Sequence, residues 1–178
     1  MKIFWSWQSD HPGKISRHFV REALELAVDS LNQELSIEEP ERELSLDHDR
    51  KGVPGSPDLA NIILAKILGS DVFVADVTPV GATSSKPSTK LMNSNVAIEL
   101  GYALHTINDQ RVIMVMNAAY GARADMPFDL QHKAGPIFYT LAPDHTKDQL
   151  RECRTQLAGT LKVALRARPH NSDSTSTS

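Results

Sequence analysis

Glu99 is the one acid in the run Asn93-Ser94-Asn95-Val96-Ala97-Ile98-Glu99-Leu100-Gly101-Tyr102-Ala103-Leu104-His105. The run reads as a helix entered from an Asn-rich turn, with the acid inside its first two turns. Val96, Ile98, Leu100, Ala103 and Leu104 surround it in sequence, so Glu99 is expected to face the protein or a cleft rather than open solvent. A carboxylate in such a place is either held by a structural partner or does chemistry. The structural alternative is an acid hydrogen-bonded to the loop before it.

Polar residues that could serve the same site cluster around the expected strand ends. Ser6, Gln8, Ser9 and Asp10 follow the first apolar run, and Asp76, Thr78, Asn93 and Asn95 follow the third. The loops after the second and fourth strands add Arg50 and residues 125–129. Each has a plainer role open to it. Asp76 can cap a turn, and Asn93 or Asn95 can cap a helix. Trp5 and Trp7 suit packing wedges, although Trp7 remains a candidate nucleotide contact. Arg50 and Lys51 can form a solvated turn, with a phosphate contact as the functional alternative for Arg50. The seven histidines have no metal-ligand spacing, and no metal is expected. Cys153 is the one cysteine, which excludes an internal disulfide and a cysteine zinc cluster, and it suits a packed helix face.

Several catalytic patterns fail. Gly13-Lys14 lacks the Gly at position 8 and the Ser or Thr at position 15 that a P-loop needs, because these are Gln8 and Ile15. No G-x-G-x-x-G follows the first strand, and neither G-x-S-x-G nor H-E-x-x-H occurs.

The elements that must position these residues follow from periodicity. Lys2-Ile3-Phe4-Trp5-Ser6-Trp7 predicts a first strand. Ile15, Phe19, Val20, Ala23, Leu24, Ala27, Val28, Leu31 and Leu35 predict a long amphipathic helix. Leu44, Leu46 and His48 alternate with polar residues, as in a short strand near a sheet edge. Ser56-Pro57-Asp58 predicts a helix start, with Leu59, Ile62, Ile63, Lys66 and Ile67 behind it and Gly69 ending it. Val72-Phe73-Val74-Ala75 and Val112-Ile113-Met114-Val115-Met116 read as buried parallel strands. Residues 77–92 and 117–132 are expected as long loops, and such loops are usually functional or mobile. Ile137-Phe138-Tyr139 predicts a fifth strand, and Leu150, Cys153, Leu157, Leu161 and Leu165 a last helix. Residues 169–178 are Ser/Thr-rich and expected to be a disordered tail behind one domain over residues 1–168.

Strands alternating with helices predict an α/β fold, a three-layer sandwich around a five-stranded parallel sheet in the flavodoxin-like order 2-1-3-4-5. Ligands of such sheets bind outside the carboxyl ends of the strands, near the switch in strand order. The loops leaving strands 1 and 3 meet there, so Glu99 and its polar neighbours are expected to converge. The balance of charge, −3 over 178 residues with 40% hydrophobic and 23% charged residues, argues against a surface built for nucleic acid. No apolar run approaches the roughly 20 residues that span a bilayer, and the first residues lack a signal-peptide pattern. A cytoplasmic protein without membrane association is expected.

The run from Asn93 to Ala103, following Val74-Ala75-Asp76-Val77, resembles two related families, the bacterial TIR-like nucleotide-binding domains and the nucleoside 2-deoxyribosyltransferases. Phe4-Trp5-Ser6-Trp7-Gln8-Ser9-Asp10, Val53-Pro54-Gly55-Ser56-Pro57-Asp58 and Pro127-Phe128-Asp129-Leu130 look like the TIR-like group in particular. Residues 77–92 depart from the pattern by their length and Ser/Lys content. The resemblance implies an NAD-cleaving domain of antiphage defence, active on self-association and joined to a regulatory or sensor partner. It implies that Glu99 is the catalytic carboxylate, with Ser6, Gln8, Asp10, Asp76 and Asn95 holding ribose hydroxyls and phosphates. NAD would be substrate, and no further cofactor is implied. Base transfer between deoxynucleosides and a non-catalytic nucleotide-sensing or assembly module are the alternatives.

Overall fold

The computed structural model describes residues 1–38, 44–48 and 59–167. In chain order β1 (Lys2–Ser6) leads through a 3₁₀ turn at Gly13–Ile15 into α1 (Arg17–Glu38), and β2 (Ser45–His48) precedes α2 (Leu59–Leu68). β3 (Val72–Asp76) is followed by a small hairpin of β4 (Gly81–Ala82) and β5 (Lys90–Leu91), then by α3 (Ser94–Thr106). β6 (Val112–Asn117), a 3₁₀ turn at Arg123–Asp125, the short α4 (Phe128–Gln131), β7 (Ile137–Tyr139) and α5 (Lys147–Arg166) complete the chain.

The five parallel strands lie in the order β2-β1-β3-β6-β7. With the separate antiparallel hairpin set aside, this is the 2-1-3-4-5 arrangement expected from the sequence, and β2 lies at the sheet edge as its polar alternation predicts. Residues 77–92 are not one unstructured loop, since they hold the β4–β5 hairpin. Likewise residues 117–132 hold a 3₁₀ turn and one helical turn, α4. Arg50, Lys51, the 53–58 motif and the 169–178 tail lie outside the described residues.

Successive strand side chains point to opposite faces. Ile3, Trp5, Val72, Val74, Ile113 and Val115 pack with Phe19, Leu24 and Leu31 of α1 and Leu157, Leu161 and Leu165 of α5. Phe4, Phe73, Ala75, Met114 and Met116 pack with Ile67 of α2 and Val96, Leu100 and Ala103 of α3. The result is three layers, α1 and α5, the sheet, and α2 and α3, with a separate apolar core on each face. Arg154 on α5 donates to Glu22 on α1 at 2.5 Å, and Lys162 pairs with Glu34 at 2.5 Å, tying the outer helices together. Cys153 is half-buried, its Sγ 3.6 Å from the Thr140 carbonyl, and burial pushes its thiol up, which suits packing rather than nucleophilic chemistry. Among the described residues no helix is long and apolar enough to cross a membrane.

Candidate active site

The face rule decides which first-strand residues can meet Glu99. Phe4 sits in the core on the α2/α3 face, so Ser6, two residues on, points to the same side. Ser6 is buried, and its Oγ donates to Glu99 Oε2 at 2.5 Å across the gap between β1 and α3. Glu99 is half-buried, between the buried Val96 and Leu100 on the sheet side and Ile98, which is 66% exposed. The apolar collar expected around the acid is therefore only partly a core: Val96, Leu100 and Ala103 are buried, whereas Ile98 stands at the cavity.

A cavity of about 460 Å³ opens beside this pair. That volume lies within the roughly 300–1,000 Å³ common for small-molecule sites. Its polar wall is Ser6, Gln8, Ser9, Asn93, Asn95 and Glu99. Leu59, Ala60, Ile63 and Leu64 from α2, with Ile98 from α3, form an apolar wall. Among the described residues lining the cavity, Glu99 is the sole ionisable side chain. The described part of α2 borders it through Leu59 to Leu64, and α3 through its first two turns.

Behind the polar wall runs a chain of buried side chains. Asn117 at the end of β6 donates its backbone N–H to Thr78 Oγ1 at 2.9 Å, and Thr78 donates its N–H to Asp76 Oδ1 at 3.0 Å. Gln8 Nε2 donates to Asp76 Oδ2 at 3.1 Å, while Gln8 Oε1 accepts from the N–H groups of Asp10 and His11 at 2.7 and 3.1 Å. Asp10 Oδ2 then accepts from Asn93 Nδ2 at 2.8 Å. Asn93 also caps α3, its Oδ1 accepting from the N–H groups of Asn95 and Val96 at 3.0 and 3.1 Å.

These contacts sort the residues expected from the sequence. Ser6, Gln8, Asn93, Asn95 and Glu99 come together at the cavity. Asp76 does not: it is fully buried and hydrogen-bonded to Gln8 and Thr78, and it does not line the cavity. Desolvation pushes its carboxyl above the usual range, against the hydrogen bonds from Thr78 and Gln8. Asp10 is exposed and meets Asn93 rather than the cavity. Trp7 borders the cavity, but its ring packs against the α1/α5 core, with the Arg17 guanidinium carbon 5.3 Å from its centroid. Residues 125–129 do not line the cavity; Asp125 instead accepts from the Ala122 N–H at 2.8 Å to cap its own turn. The α2 wall was not anticipated. Its residues recur at the spacing of an ordinary core stripe, so periodicity carries no signal that separates a cavity wall from a core.

Fold and cavity together define a flavodoxin-like α/β sandwich with a cavity at the carboxyl edge of the sheet and, among the described residues, one carboxylate in its wall. No family model matches the sequence, nor does any curated protein. Among solved structures the chain is similar to a flavodoxin-like domain from Synechococcus sp., with 11% identity, a TM-score of 0.44, and coverage of 92% of this chain and 99% of that one. It is also similar to a 2-desoxiribosyltransferase from Leishmania mexicana, with 15% identity, a TM-score of 0.37, and coverage of 86% and 96%. The fold assignment rests on the sheet order and the layers themselves.

Proposed function

We propose that this protein cleaves the glycosidic bond between ribose and nicotinamide in NAD, with Glu99 meeting the charge that develops on the sugar. One observation carries the reading: a single carboxylate, oriented by the Ser6 hydroxyl, is the sole ionisable group among the described residues of the cavity wall. Cleavage of a ribosyl bond passes through an oxocarbenium-like state. Most glycosidases need two carboxylates, because the leaving oxygen must be protonated. Nicotinamide needs no such proton. The C1′–N bond breaks, its electron pair moves to the pyridinium nitrogen, and a cationic ring departs as a neutral molecule. Positive charge is left on the ribosyl carbon and ring oxygen, where Glu99 stabilises it. Water then adds to that carbon and releases one proton, giving ADP-ribose, nicotinamide and a proton. The apolar wall of α2 and Ile98 suits a flat aromatic ring, and Gln8, Ser9 and Asn95 on the polar wall suit the hydroxyls and phosphates of a nucleotide. By resemblance, such a domain would serve antiphage defence and act on self-association.

The test is nicotinamide release from NAD by the pure protein and by Glu99→Gln, at protein concentrations from dilute to assembled. Loss of one transition-state charge partner should lower turnover by at least about 100-fold. Equal turnover by both proteins, or none by either, would sink the reading. Base exchange between deoxynucleosides without loss of NAD would select the transferase instead. Saturable nucleotide binding without product, unchanged in Glu99→Gln, would select a sensing module.

A further inference from the structure

Asp10 and Asn93 were expected to touch ligand; Asn93 does border the cavity, but the two side chains are also hydrogen-bonded to each other and, through Asn93, to α3. Asn93 uses Oδ1 to cap the helix and Nδ2 to reach Asp10. Asp10 is held in turn through its N–H by Gln8, and Gln8 by the fully buried Asp76. Asp76, Gln8, Thr78 and Asn117 are each no more than 1% exposed, so the anchor is rigid and shielded from water. Only the last link, Asp10 to Asn93, crosses from the sheet edge to the helix that carries Glu99. Glu99 lies six positions after Asn93, and its contact with Ser6 joins the same two elements further along.

We propose that Asp10 and Asn93 are positioning residues. Their hydrogen bond clasps the first turn of α3 to the loop after β1 and so sets where the Glu99 carboxylate stands against Ser6. The proposal rests on the reading of Glu99 as the group that meets the ribosyl cation. The clasp acts through the placement of Glu99 against Ser6. A misplacement of about 1 Å in a reacting group can cost on the order of 100-fold in rate.

The chemistry of the pair supplies its own control. In Asn93→Asp the helix cap survives, because aspartate caps as well as asparagine. The donor is lost, however, and two carboxylates face each other. Asp10→Asn keeps an acceptor for Asn93. In the double variant Asp10→Asn/Asn93→Asp the amide donates from the other side and the hydrogen bond returns with its direction reversed. Two measurements are made on all four proteins: nicotinamide release from NAD, and amide hydrogen exchange over residues 94–99 without nucleotide. Asn93→Asp should lose about 10- to 100-fold in kcat; the double variant carries the same carboxylate on the cavity wall, so recovery there separates the clasp from any effect of that charge on substrate. Exchange over residues 94–99 should quicken in Asn93→Asp. The double variant should recover most of both, and Asp10→Asn should stay close to wild type. A double variant no better than Asn93→Asp, or wild-type exchange in Asn93→Asp, would overturn the clasp. If no protein turns over NAD, the functional reading fails alone, and the exchange pattern still decides for or against the clasp.

Discussion

Glu99 and Asp76 stand near the same edge of the sheet and do different work. Glu99 is half-buried on a cavity wall, whereas Asp76 is sealed beneath it with Gln8 and Thr78 as donors. Burial raises the folded-state pKa of Asp76 above its ordinary value of 3.8, so the native state holds this proton more tightly than the unfolded chain. The stability this contributes is complete below that ordinary value and is lost as pH rises through the raised one. Urea denaturation in a series rising from about pH 4 should therefore reveal a decline in stability that Asp76→Asn, which does not titrate, makes flatter. Superimposable pH profiles for the two proteins would contradict it. In sequence the role of Asp76 is hard to read, since a carboxylate after a buried strand reads alike whether it meets ligand or seals a turn. What separates the two cases is the approach of Gln8, 68 residues from Asp76, which no local pattern encodes. Trp7 is a different case: strand periodicity alone puts it on the opposite face from Ser6, and its ring does pack on the α1 side.

At the scale of elements, the apolar runs of β3 and β6 and the helical stripes of α1 and α5 were legible because burial on both sides of a parallel sheet leaves few alternatives. The β4–β5 hairpin was not. Its strands are two residues each, exposed, and set in Pro/Ser-rich sequence, so no alternation can register. The outer α1/α5 layer is where the fold is held most plainly by apolar burial. Leu161 is fully buried between α5 and the sheet, and Leu161→Ala should cost about 2–5 kcal/mol through lost burial and the cavity left behind. Urea unfolding measures that loss. A change below about 1 kcal/mol would mean that the layer collapses around the gap.

The whole molecule divides its labour by face. One core joins α1 and α5 to the sheet; the other carries α2 and α3, which border the cavity. The C-terminal edge of the sheet collects the polar side chains, as an open parallel sheet requires. A cavity whose described wall holds one ionisable group has a consequence for selectivity among substrates. On the proposed reading Glu99 meets the ribosyl charge and does not protonate the base, so the base must leave on its own merit. Across NAD analogues that differ only in the basicity of the pyridine, log kcat/KM should fall steeply and linearly as that basicity rises. A flat series would show that a proton donor or a physical step governs the rate. On the proposed reading the protein would discriminate by leaving-group chemistry as much as by shape, turning over cationic nucleotides while sparing the far more abundant neutral nucleosides and nucleotides around them.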